Sequence, residues 1–114
     1  MKELQTIQKR NKLNTVYVID EPHVINKGHH HYKINDDVDV IFQNGPRSEE
    51  GSISGILDVD LLEIVRHRLQ SFQEGPYATK ENEIALTKIE EALLWMNKRV
   101  EDRLSAGKLG TNKI

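Results

Sequence analysis

Gly75-Pro76 does more than any other feature to limit what this chain can fold into. Proline lacks an amide hydrogen and clashes with a preceding helical turn, and glycine just before it is a natural helix terminator. On one side, Leu61, Val65, Leu69 and Phe72 recur at helical spacing, with Leu62 and Ile64 widening the stripe. On the other, Ala85, Ile89, Ala92 or Leu93, Met96 and Val100 repeat the pattern. Two amphipathic helices separated by so short a break must fold back on each other. The chain therefore predicts an antiparallel α-helical hairpin over residues 56–106, with Gly75 as the C-cap of the first helix and the second ending near Leu104. Asp58 is the expected N-cap of the first helix and Thr79 of the second, where Glu81 and Glu83 suit the positive end of the dipole.

Residues 14–55 read as β. Thr15 to Ile19 is β-branched and aromatic, His30 to Ile34 is a weaker strand, and Val38 to Gln43 alternates apolar and polar positions. Asn35-Asp36-Asp37 and Asn44-Gly45-Pro46 are turn signals, and Gly51 to Gly55 is read as a short last strand. Residues 1–13, with Lys2, Lys9, Arg10 and Lys12, are expected to form a mobile or lightly packed arm, with a frayed helical turn at Leu4 and Ile7. Residues 107–114, with Gly107 and Gly110, read as a polar tail. The fold class is α+β: a small N-terminal antiparallel sheet of three or four strands, then the C-terminal hairpin, as one compact unit.

Charge and size exclude several functions. A chain of 114 residues holds one modest core and no large enclosed cavity. The formal net charge is −2, whereas duplex-binding domains usually carry a basic excess. There is no cysteine, hence no disulfide and no thiolate metal site. No segment approaches the roughly 18 apolar residues of a membrane span, and Met1 to Arg10 has no apolar core of a signal peptide, so the expected location is the cytoplasm. With 37% hydrophobic and 30% charged residues, the chain has little core to spare. Such a chain gains stability by burying a face against its own copy.

Catalytic sets are sparse. His23, His29, His30 and His31 form a cluster in which alternation would put His29 and His31 on one face and His30 on the other; a solvated strand or loop explains it without a metal. Asp36, Asp37 and Asp39 lack the glycine and glutamate placement of a calcium loop. Glu90 and Glu91 are adjacent on a helix and so diverge by about 100°. Nothing resembles a nucleophile triad or a phosphate-binding loop.

The basic and aromatic residues of the hairpin carry more. Arg99 and Arg103 are i and i+4, a spacing that suits two phosphates; the same residues also suit the negative end of a helix dipole. Phe72, Tyr77 and Asn82 surround the hairpin turn. An aromatic ring can stack on a nucleobase and a carboxamide can read its edge; equally, Phe72 continues the apolar stripe and Asn82 sits in a first turn. Asn82 and Arg99 are 17 residues apart on one helix, roughly 25 Å. One small ligand that touches both ends must lie between two chains, as in a two-fold dimer of hairpins with two equivalent sites.

Several runs together resemble a known family: Phe42-Gln43-Asn44-Gly45-Pro46; Phe72-Gln73-Glu74-Gly75-Pro76-Tyr77-Ala78; Glu81-Asn82; Ala85-Leu86-Thr87-Lys88; Glu90-Glu91-Ala92-Leu93; Trp95; Lys98-Arg99; Asp102-Arg103; and Gly110-Thr111-Asn112. From about Asn14 to Asn112 the chain is similar to the phage anti-Thoeris sponges. Its second half, from Ala85 through Trp95, also resembles the hairpin domain that these share with the phage anti-CBASS cyclic-dinucleotide sponges.

The resemblance implies a protein that binds a cyclic ADP-ribose variant, the immune signal of the bacterial Thoeris system, and holds it intact in the cytoplasm of the infected host. It implies homodimers that assemble further, dimerisation through the hairpin, no enzyme activity, and no metal or cofactor. The expected ligands are glyco-cyclic ADP-ribose isomers, with cyclic di- or trinucleotides at separate sites, and neither duplex nucleic acid nor membrane. Carried over by motif, Phe72 would stack on the adenine, Asn82 would contact the ligand beside it, and Arg99 and Arg103 would meet phosphate or ribose from the neighbouring chain. Arg47 is a further candidate. The rival readings are an enzyme that hydrolyses the cyclic signal through the His cluster, and a small dimeric DNA-binding regulator using Arg66, Arg68, Lys98, Arg99 and Arg103.

Overall fold

The computed structural model describes residues 1–46 and 49–107. Four short strands, β1 (Lys2–Glu3), β2 (Val16–Val18), β3 (His31–Ile34) and β4 (Val38–Ile41), precede two helices, α1 (Asp58–Gln73) and α2 (Lys80–Ser105). The strands form one antiparallel sheet in the order β1-β2-β3-β4. The α+β class is the one anticipated, an antiparallel sheet followed by a helical hairpin.

The sheet's outer strand comes from an unexpected place. The N-terminal residues, expected to be a loose arm with a helical turn, instead pair Lys2 with Val18 and Glu3 with Tyr17, and the Leu4 amide donates to the Val16 carbonyl at 2.8 Å. The exposed edge of β2 offers unpaired backbone groups, and extended chain satisfies them better than an isolated helical turn can. Gly51 to Gly55 adds no strand; its share is an isolated bridge between Asn44 and Ile53.

Two side chains close the loops of the sheet. Asn35, at φ 53°, turns the chain between β3 and β4, and its Oδ1 accepts from the Thr15 amide at 3.0 Å. The Asp20 carboxylate receives the His30 amide at 2.8 Å and the His31 amide at 3.2 Å, which fastens the long β2–β3 connection where β3 begins. Partial burial alone would raise the Asp20 pKa, but the hydrogen bonds from His30 and His31, with His29 nearby, outweigh it and hold the carboxyl below its ordinary range.

Sheet and hairpin meet at a crossing of backbones. The Gln43 amide donates to the Ile56 carbonyl at 2.9 Å, and the Ile56 amide to the Ile41 carbonyl at 3.0 Å. Gly55 lies against this crossing: a Cβ there would stand 2.5 Å from the Phe42 carbonyl carbon and 2.6 Å from the Ile41 oxygen. Beyond it the first helix begins one residue earlier than expected. Leu57 is the N-cap and Asp58 sits in the first turn, because Asp60 reaches back to accept the Leu57 amide at 2.8 Å. At the far end Glu74 is the C-cap, one residue before the predicted Gly75. Thr79 caps α2 as expected.

The helices pack on each other, and neither lies broadly on the sheet. Burial is shallow throughout. Val18, at 9% exposure, is the one apolar residue among those described that counts as buried, while Leu94 and Trp95 are 71% and 67% exposed. The accessible surface is 9172 Å², against about 6,400 Å² for a compact monomer of this mass. The radius of gyration is 16.8 Å, against about 13 Å for a compact domain of this length.

Two outcomes are expected. Gly55→Ala forces backbone apart at the crossing and destabilises the fold by about 1–3 kcal/mol, read as a lowered Tm, whereas Gly75→Ala, whose nearest neighbour would be 4.0 Å away, leaves Tm nearly unchanged. Because the Asp20 pKa is depressed by folding, its contribution is present above the unfolded pKa and is lost as pH falls below about 4. Urea unfolding followed between pH 6 and pH 3 should show a shallower decline in Asp20→Asn than in the parent chain.

Candidate functional site

Apart from Arg47, the candidate site residues belong to the helical hairpin. Arg66 of α1 bridges to α2 through Glu90 at 2.9 Å and also meets Glu63 at 3.2 Å. Gln70 donates to the same Glu90 carboxylate at 3.4 Å. At the turn, Gln73 closes a two-bond clasp on Thr79, accepting from its amide at 3.0 Å and donating to its carbonyl at 3.1 Å. The Thr79 hydroxyl then accepts the Asn82 amide at 3.0 Å. Sixteen residues of α1 span about 24 Å and 26 of α2 about 39 Å. With Arg66 facing Glu90, the first residue of α1 lies opposite about Lys98, and α2 runs roughly two turns further.

This arrangement sorts the sequence-predicted residues into two groups. Phe72 in the last turn of α1 is 39% exposed and Tyr77 in the connection is 74% exposed. Asn82 is half-buried at the start of α2. Its amide is committed to Thr79, and its carboxamide has no partner among the described residues. Arg99 and Arg103 lie at the opposite end, on the stretch of α2 that runs past α1. Arg99 is exposed and has no partner among the described residues; Arg103 is half-buried in the last turn. One chain therefore does not bring the two groups together. Arg47 lies outside the described residues, as do Gly110, Thr111, Asn112 and all but Gly107 of the polar tail.

The apolar stripe of α1 divides. Leu62 and Leu69 are half-buried, and the α2 residues Ala85, Ile89, Ala92, Leu93, Met96 and Val100 are likewise half-buried. Leu61, Val65, Arg68 and Phe72, spaced to share one side of α1, are all exposed. Within this row the Arg68 guanidinium lies over the Phe72 ring, 5.4 Å from its centroid. That contact was missed from sequence, although the i, i+4 spacing of an arginine and an aromatic is its signal. A groove of about 690 Å³ runs along the hairpin between Val59, Asp60, Glu63 and Arg66 on α1 and Glu90, Leu94 and Asn97 on α2.

The histidines are placed differently from expectation. His29 and His30 precede β3 and line the same cavity, of about 270 Å³, so the predicted alternation does not apply to them. His29 Nδ1 donates to the Asp20 backbone carbonyl at 2.9 Å, the Asp20 carboxylate accepts the His30 and His31 amides, and His31 Nε2 donates to the Asp39 carboxylate at 2.7 Å. Asp39 lies in β4, within the stretch Val38 to Gln43 read as a strand. Its pKa is lowered chiefly by the His31 hydrogen bond, which outweighs desolvation, with help from the Lys33 and His31 charges. Among the described residues no group of three or more His, Asp or Glu side chains is arranged to hold a metal ion, and no helix is long and apolar enough to cross a membrane.

Comparison with known proteins bears on the same segment. A curated relative, "Thoeris anti-defense 1" of Bacillus phage SBSphiJ7, is 45% identical over 74 residues, which is 65% of this chain and 51% of the relative. The match thus spans about half the length of that protein. The family model described as "Acb2/Tad1, hairpin domain" matches residues 35–101. That range opens in the β3–β4 turn, includes Phe72, Asn82 and Arg99, and stops two residues short of Arg103. The chain belongs to the Acb2/Tad1 hairpin-domain family.

Proposed function

We propose that this protein is a phage anti-Thoeris sponge: it binds the cyclic ADP-ribose-type immune signal between two chains and sequesters it without cleaving it. The observation that carries the reading is the separation of Phe72 and Asn82 from Arg99, roughly 25 Å along α2, in a chain of this family. In an antiparallel two-fold pairing of hairpins, the turn of one chain meets the Arg-bearing end of its partner. Phe72 stacks on the adenine, Asn82 reads its edge, and Arg99 and Arg103 of the other chain receive the pyrophosphate. Arg47 adds charge from the loop after Asn44-Gly45-Pro46. Glyco-cyclic ADP-ribose isomers are the proposed ligands, with cyclic di- or trinucleotides at separate sites.

The physical case for a homodimer or larger assembly is the surplus of exposed surface. Leu94 and Trp95 stand on the hairpin with most of their area in water, and burial of such side chains contributes about 25 cal/mol per Å². Dimerisation through the hairpin covers that area and builds the ligand site at once. Capture by stoichiometry needs tight binding, about 12 kcal/mol for a nanomolar Kd, and no bond need be broken. The family name of the relative supports action inside an infected host. For the rival readings, the histidines near Asp20 and Asp39 have a use in holding the sheet together, and Arg66 is engaged by two carboxylates rather than offered to a duplex.

Incubation with cyclic ADP-ribose isomers, heating and chromatography tests the mechanism. A sponge removes one isomer from solution and releases it unchanged; a linear product on release means an enzyme. Phe72→Ala and Asn82→Ala should each lose binding while keeping the oligomer seen by sedimentation. Shared sites have a further signature. Phe72→Ala and Arg99→Ala chains, each inactive alone, should recover about a quarter of the sites when mixed and reassembled, because one of the two sites in each mixed dimer is intact. No recovery would mean that each site lies within one chain.

A further inference from the structure

Arg68 is a basic residue of α1 that neither the apolar pattern nor the helix pairing explains. Its neighbours one turn away on α1 are Ile64, Val65, Ser71 and Phe72, so no carboxylate on its own helix faces it. Arg66, two residues earlier, is held by Glu63 and Glu90, whereas the recorded contact of Arg68 is with the Phe72 ring, at 5.4 Å from the centroid. Both side chains are exposed, on the row that also carries Leu61 and Val65. A guanidinium beside an aromatic ring keeps N–H donors for an anion, because the cation–π contact engages no carboxylate and leaves most of its donors unused.

We infer that Arg68 is a further ligand-binding residue, which receives a phosphate of the nucleotide whose base stacks beside it at Phe72. The inference rests on the reading of Phe72 given above. An adenine nucleotide carries its flat apolar part and its charge within one short molecule, and an aromatic ring next to an uncommitted guanidinium matches both parts from a single helix turn. Arg68 then acts from the same chain as Phe72 and Asn82, and the Arg99 end of the partner approaches from the opposite side. Cations from two chains around one pyrophosphate give a site whose affinity depends on salt and on guanidinium geometry. Ring stacking alone would give neither dependence.

The test is titration of the purified oligomer with cyclic ADP-ribose isomers at low and at high salt, for the parent chain and for Phe72→Ala, Arg68→Ala, Arg68→Leu and Arg68→Lys. The expected result is a loss of affinity of roughly tenfold or more in Arg68→Ala and Arg68→Leu, a shallower salt dependence in both, and partial recovery in Arg68→Lys. Arg68→Leu retains an apolar cover for the Phe72 ring, so a residue that only steadied the ring would leave its salt dependence unchanged. Unchanged affinity and salt dependence in all three Arg68 variants, with binding lost in Phe72→Ala, would overturn the role of Arg68 and leave the sponge reading intact. Failure of the parent chain to bind any isomer would overturn both.

Discussion

The clasp of Gln73 on Thr79 and the Arg66–Glu90 bridge together hold two helices antiparallel at a set register, and most of what this protein can do depends on that register. The clasp brings the last turn of α1 and the first turn of α2 together, so that Phe72 and Asn82 stand at the same end of the hairpin. The bridge sets where α1 starts against α2, and therefore how much of α2 is left without a partner. The stretch of α2 that extends past α1 carries Arg99 and Arg103. None of these contacts is deeply buried, and exposed ion pairs are individually weak. Their effect is one of position: they select a register that the half-buried apolar rows of α1 and α2 then stabilise.

The sheet plays a different part. Its strands are two to four residues long, and its loops are held by polar groups rather than by a large core. Asp20 takes the amides at the start of β3, and Asn35 ties the β3–β4 turn to the start of β2. The crossing at Gly55 and Ile56 then delivers the chain to the start of α1. A module built this way orients the hairpin while leaving its faces open. The surplus of accessible surface follows from the same economy of packing: a chain with so little interior leaves apolar helix residues such as Leu94 and Trp95 exposed.

Much of this was legible in the residues. The Gly75-Pro76 break, the two apolar periodicities and Thr79 predicted the hairpin within a residue or two of its limits, because helix ends are local matters of caps and missing amides. Strand content was legible for β2, β3 and β4 for the same kind of reason. The pairing of residues 1–13 was not, since Lys2 and Glu3 carry no strand pattern and join the sheet only because the edge of β2 is vacant. Asp58 gave up the N-cap to Leu57, whose amide the Asp60 carboxylate reaches back to accept, which is a matter of which side chain reaches back and not of propensity. Asp39 and His31 met through strand register, which single-residue patterns do not encode.

By itself, then, the sequence determined the fold class and the position of the hairpin turn, because helical period, proline and glycine act over a few residues, and it supplied the residues proposed for binding. Tertiary structure decided which of them share a place. It set Arg66 of α1 against Glu90 of α2 and closed Gln73 on Thr79, which brought the last turn of α1 beside the first turn of α2. Those outcomes depend on which faces of α1 and α2 pack, and a packing choice between distant segments is made only when the chain folds.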